Sequence, residues 1–127
     1  MTKPLALIIE DDPKLGQIFA ITLENWFETE IIADGDAALT RLAQVSPAIV
    51  ILDLHLPSVS GQDILAQIRA DGRLAETRVI LATADAAQAD ALDERADIVL
   101  LKPVSPVQLR ELASRLILAR PTDERAD

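Results

Sequence analysis

The sequence predicts an α/β fold in which one five-stranded parallel sheet is doubly wound by five helices. Short aliphatic runs alternate with amphipathic stretches along the chain. The runs lack the polar alternation of a strand that faces water, as expected where helices cover both faces of a sheet. Four of the five amphipathic stretches also open on Asp or Ser, the residues that cap helix N-termini.

The first strand is Leu5–Ile9, ending on Glu10-Asp11-Asp12. Asp12-Pro13 then reads as an N-cap followed by a proline at N1. Leu15, Ile18, Phe19, Thr22, Leu23 and Trp26 are the expected inward face, with Trp26 packed behind the first helix. The second strand is Glu28–Ala33, after which Asp34 or Asp36 caps a helix burying Ala38, Leu39 and Leu42. The third strand, Ile49–Asp53, leads to a helix opened by Gly61, with Ile64, Leu65 and Ile68 inward. The fourth is Val79–Thr83, with Asp85 capping a short, alanine-rich helix over Ala86–Glu94. The fifth, Ile98–Leu101, ends on Lys102-Pro103. Ser105-Pro106 repeats the capping device before a helix with the stripe Leu109, Leu112 and Leu116. Right-handed crossovers join these units into an open sheet.

A chain of 127 residues suits one domain, assigned here to 1–120 with a polar tail at 121–127. Its core must be aliphatic, because Phe19, Trp26 and Phe27 are the only aromatics. The formal charge of −9, from 21 acids against 12 Lys and Arg, would repel a phosphate backbone and argues against direct nucleic-acid binding. No run approaches the roughly 18 apolar residues of a membrane span, and no signal peptide precedes the first strand. The absence of Cys excludes a disulfide scaffold or thiolate metal site. A cytoplasmic location is the expectation.

The chemistry-bearing residues cluster at strand ends. Glu10 and Asp11 follow the first strand, Asp53 ends the third, Thr83-Ala84 the fourth, and Lys102-Pro103 follows the fifth. Open α/β sheets keep their ligand crevice just beyond the carboxyl ends of the strands. These pieces in this order, with Asp53-Leu54-His55-Leu56-Pro57-Ser58-Val59-Ser60-Gly61 after the third strand, resemble the receiver domain of response regulators, of the stand-alone chemotaxis-regulator type. The resemblance covers Leu5 to Leu118. It implies a flavodoxin-like sheet order 2-1-3-4-5, which sets the ends of strands one and three side by side.

It also implies a function. Carboxylates of Glu10, Asp11 and Asp53 crowded together repel one another, and Lys102 alone leaves them net negative. A hard divalent ion resolves the conflict, and Mg²⁺ typically takes one or two carboxylates and keeps waters. Asp11 and Asp53 are the expected direct ligands, with Glu10 acting through water; by resemblance, the backbone carbonyl of His55 completes the set. Asp53 is the expected phosphoryl acceptor, fed by a sensor histidine kinase or phosphotransfer protein. Lys102, the Thr83 hydroxyl and a backbone N–H then face the phosphoryl oxygens, and small Ala84 lets the loop approach. The family's bond after this lysine is usually cis, so Lys102-Pro103 is expected to be cis. The sole histidine, His55, is expected at the pocket mouth, where with Asp85 it tunes phosphoryl loss. The domain would act only on its own Asp53, and the face of helix four, strand five and helix five would signal to a target protein, an output domain beyond this sequence, or a second copy in a homodimer.

Two positions depart from the family pattern. Val99 stands where an aromatic usually swings inward, and Glu94-Arg95-Ala96-Asp97 lacks the usual glycine. Either Arg95 adopts an unfavourable φ or helix four ends differently, and in both cases helix four is expected to be loosely held. The alternative function is thus a receiver-like module that binds partners constitutively. A phosphatase of the haloacid-dehalogenase type would need a second acid where His55 stands, and a nucleotide or flavin site would need a glycine-rich first turn.

Overall fold

Strands β1 (Leu5–Ile9), β2 (Glu28–Ile32), β3 (Ile49–Asp53), β4 (Arg78–Thr83) and β5 (Ile98–Leu101) form one parallel sheet in the order β2-β1-β3-β4-β5. They alternate with helices α1 (Pro13–Leu23), α2 (Gly35–Leu42), α3 (Gly61–Ala70), α4 (Ala86–Leu92) and α5 (Pro106–Leu118). The computed structural model describes residues 3–92 and 95–118; the 121–127 tail and the predicted end of the fourth helix at Glu94 lie outside the described residues.

The strands are apolar on both sides because each side has its own helical layer. Leu7, Ile9, Val50, Leu52, Val79 and Leu81 pack with Ala38 and Leu42 of α2, Ile64, Leu65 and Ile68 of α3, and Leu92 of α4. Their neighbours Ala6, Ile8, Ile49, Ile51 and Ile80 turn to the opposite face, against Phe19 and Leu23 of α1 and Leu109 and Ala113 of α5. This is the period-two alternation of a strand, with both faces dry.

Side-chain caps fix where the helices start. Asp12 accepts from Lys14 and Leu15 N–H, and Asp34, rather than Asp36, accepts from Ala37 N–H. Ser60 caps α3 by accepting from Asp63 N–H, so Gly61 is its first helical residue. Asp85 accepts from Ala87 and Gln88 N–H, and Ser105 from Gln108 N–H.

The predicted face of the first helix is corrected. Phe19 and Leu23 are buried, but Ile18 is 42% exposed and Trp26 is 43% exposed. The helix ends at Leu23, whose carbonyl accepts from the N–H groups of Trp26 and Phe27. The helix meets the sheet side through Gly16, Phe19 and Leu23, leaving Ile18 beside that buried face, and it ends before Trp26. Phe27 then fills the core in place of Trp26. A 3-10 turn at Gly72–Leu74, absent from the sequence reading, buries Leu74 below α3.

The turn entering β5 does not use a left-handed arginine: Ser58, with φ 67°, is the positive-φ non-glycine residue among those described. Instead Arg95 N–H donates to the Leu92 carbonyl. Arg69 of α3 then clamps the turn, donating to the Arg95 carbonyl (2.7 Å), the Thr77 carbonyl (3.1 Å) and Asp97 Oδ2 (3.1 Å). Asp97 also accepts from Val79 N–H at 2.7 Å and from Arg78 at 3.3 Å. Side-chain bonds replace the glycine cap. Arg69→Ala should therefore lower the unfolding free energy by about 2 kcal/mol in urea titration, since it strips the part-buried Thr77 carbonyl and two more exposed acceptors of their donor at once. A loss below ~0.5 kcal/mol, the scale of an ordinary surface substitution, would mean the clamp is ornamental.

Candidate functional site

The topology makes the site. β1 lies beside β3 with Ile9 opposite Leu52, so Glu10 and Asp53 leave the sheet as neighbours. Asp53 lies opposite Ala82, and Thr83 opposite Leu101, so the ends of β4 and β5 bring Thr83 and Lys102 to the same edge. One carboxylate oxygen each from Glu10, Asp11 and Asp53 lies within 4.8 Å of the others. Glu10 is 2% exposed, Asp53 3% and Thr83 0%. Asp11 is exposed and forms the solvent side of the group.

Lys102 is the cation of this corner, with Nζ 3.1 Å from Asp53 Oδ1 and 4.0 Å from Glu10 Oε1. Asp53 Oδ1 also accepts the His55 backbone N–H at 3.1 Å, so this carboxylate is held from two sides. The His55 residue itself is exposed. The Lys102-Pro103 bond is cis. Glycines let the chain fold this tightly around the acid. A Cβ on Gly61 would lie 2.5 Å from the Asp53 carbonyl oxygen, and one on Gly35 would lie 2.4 Å from the Val59 carbonyl oxygen.

On β4, Thr83 Oγ1 accepts the Asp85 N–H at 3.1 Å and donates to Gln88 Oε1 at 3.3 Å. Ala84 is exposed beside it. Val99 is half-buried on the α2–α3–α4 side of the sheet. Gln88 was not among the residues expected here, since a lone glutamine in the first turn of a short helix carries no periodic signal.

Glu10 is the electrostatic misfit. Its Oε2 accepts the Asp12 N–H at 3.2 Å, while Oε1 is buried without a hydrogen-bond partner. Burial, reinforced by Asp53 and opposed by the Asp12 N–H and Lys102, pushes its carboxyl up from 4.5 to about 7. A buried oxygen without a hydrogen-bond partner, beside two further carboxylates, is the donor set a hard divalent cation takes. In the metal-free protein the folded state retains the Glu10 proton at pH values where the unfolded chain has lost it. The stability from this group is complete below pH 4.5 and is lost as pH rises through about 7. The urea midpoint of metal-free protein should therefore fall between pH 5 and pH 8, and Glu10→Gln should flatten that slope. An equal slope in the variant would assign it to other groups.

The profile of the response regulator receiver domain matches residues 6–114. The chain is 35% identical to the DNA-binding response regulator MtrA of Mycolicibacterium smegmatis, over 95% of this chain and 53% of that protein. It is 34% identical to the transcriptional regulatory protein BaeR of Escherichia coli, over 89% of this chain and 46% of that protein. The chain thus spans about half the length of these curated relatives. In fold it resembles the chemotaxis response regulator CheY4 of Vibrio cholerae, with a TM-score of 0.82 at 23% identity over 91% of this chain and 99% of that one. It also resembles the receiver domain of sensor histidine kinase PA1611 from Pseudomonas aeruginosa, with a TM-score of 0.81 at 24% identity over 91% of this chain and 98% of that one. That structure has a magnesium ion coordinated in its active site cleft. Among the described residues of the present chain, no helix is long and apolar enough to cross a membrane. By sequence profile, by identity to curated relatives and by sheet order, this chain belongs to the response regulator receiver domains.

Proposed function

We propose that this domain is a phospho-accepting switch of a two-component system, in which a histidine kinase or phosphotransfer protein donates a phosphoryl group to Asp53. The observation that carries this reading is the buried Asp53 carboxylate held by Lys102 Nζ and the His55 N–H beside two further acids. An Asp53 oxygen attacks the donor phosphorus in line, the bond from phosphorus to the donor breaks, and its electron pair leaves with the donor. Lys102 orients the carboxylate beforehand and then faces a phosphoryl oxygen, with the Thr83 hydroxyl facing another. Ala84 adds no side-chain bulk to that approach. Glu10, Asp11, Asp53 and the His55 carbonyl would hold Mg²⁺, which when bound offsets the charge of the acids and the incoming phosphoryl group.

The new group brings about −1.5 to −2 charges and strong acceptors into a corner that is already acidic. Thr83 is the hydroxyl residue of β4, and the turn of its side chain would shift the loop entering α4. The face of α4, β5 and α5 suits the output role because it presents Leu101, 51% exposed, and Val107, 56% exposed. Those positions would meet a target protein, an output domain in a longer protein, or a second copy of the domain.

Incubation with Mg²⁺ and acetyl phosphate should add one phosphoryl group by intact mass, and Asp53→Asn or chelation should abolish the addition. Lys102→Ala should slow it by roughly a hundredfold, the scale of losing one preorganised charge partner. An unmodified wild-type protein would favour the constitutive binding module that Val99, in place of an aromatic, suggests.

A further inference from the structure

Thr83 is fully buried, and its hydroxyl is already committed. A hydroxyl has one proton to donate. Here the Asp85 N–H occupies Oγ1 as donor at 3.1 Å, and the proton of Thr83 goes to Gln88 Oε1 at 3.3 Å. The circuit closes through the helix cap, because Gln88 N–H donates to Asp85 Oδ1 at 3.2 Å. Thr83, Asp85 and Gln88 thus form a ring that ties the end of β4 to the first turn of α4. The backbone of Thr83 is pinned separately, its carbonyl accepting the Lys102 N–H at 2.8 Å. Only rotation of the side chain can redirect the hydroxyl.

We propose that Gln88 is a positioning residue that latches the Thr83 hydroxyl in the resting domain, so that a phosphoryl group at Asp53 must win the proton from Gln88. This rests on the receiver function argued above and adds how its switch is set. The latch restrains the domain before phosphorylation and couples Thr83 to α4 through hydrogen bonds. It needs no aromatic at Val99. When the hydroxyl turns to the phosphoryl oxygen, the ring opens, and the first turn of α4 loses a bond to β4.

The test uses trifluoroberyllate with Mg²⁺ as the phosphoryl mimic, its affinity measured by isothermal titration on a double-mutant cycle. Gln88→Met keeps the side chain's length but removes the acceptor. Gln88→Ala is a second variant, in a residue type that favours helix. Breaking one neutral hydrogen bond of the resting state should tighten binding by about two- to tenfold in either variant. In a Thr83→Ala background the same changes at Gln88 should leave affinity unaltered, because no hydroxyl remains to be released. Unchanged or weaker binding by both variants, or equal effects with and without the Thr83 hydroxyl, would overturn the latch. Wild-type and Asp53→Asn proteins run alongside: binding that ignores Asp53, or none at all, removes the receiver reading itself and the latch with it.

Discussion

Like charge gathered out of water is the constraint on which this molecule turns. Glu10 and Asp53 are nearly inaccessible, Asp11 closes the group at the surface, and among the described residues Lys102 is the positive side chain bonded to Asp53. Desolvation and mutual repulsion both work against such a cluster. Glu10 records the conflict through an oxygen without a hydrogen-bond partner and a carboxyl held high. A fold under selection for stability alone would place apolar side chains there, since unsatisfied buried charge is among the most destabilising features a core can carry. The arrangement makes sense as a site held ready for a cation and an incoming phosphoryl group.

The rest of the structure serves to hold that corner together. Sheet order sets the end of β1 beside the end of β3, so residues separated by more than forty positions share one edge. The bare backbones of Gly61 and Gly35 let the loop after Asp53 return close to the strand, where any Cβ would collide with carbonyl oxygens. At the opposite end of β4, Arg69 and Asp97 secure the entry to β5. One end of the sheet is thereby fixed by ion-paired side chains, while the other holds the reactive groups and the Thr83–Gln88 contact.

Much of this was legible in the chain itself. Five aliphatic runs flanked by caps specify a sheet covered on both faces, and the strands observed match those runs to within a residue. Polar residues at strand ends pointed to one crevice because a parallel sheet sends all its carboxyl ends to the same side. What escaped depended on contacts that no local pattern encodes. On α1, Ile18 is apolar yet lies beside the buried face, and Trp26 falls past the helix end at Leu23, so apolar character alone does not mark the inward residues. The Arg69 clamp reaches partners 8 to 28 positions away, and the Gln88 contact depends on how one short helix leaves β4. Ser58 reaches its left-handed conformation with its hydroxyl donating to Asp34, a partner far away in sequence.

The central claim is that one particular carboxylate, Asp53, receives the phosphoryl group. Reductive trapping reads this directly: borohydride converts an aspartyl phosphate to homoserine, and peptide mass spectrometry then locates the converted residue. After exposure to acetyl phosphate and Mg²⁺, homoserine should appear at position 53 and at no other acid. Conversion at Asp11 or Asp12 instead, or at none of the acids, would contradict the account.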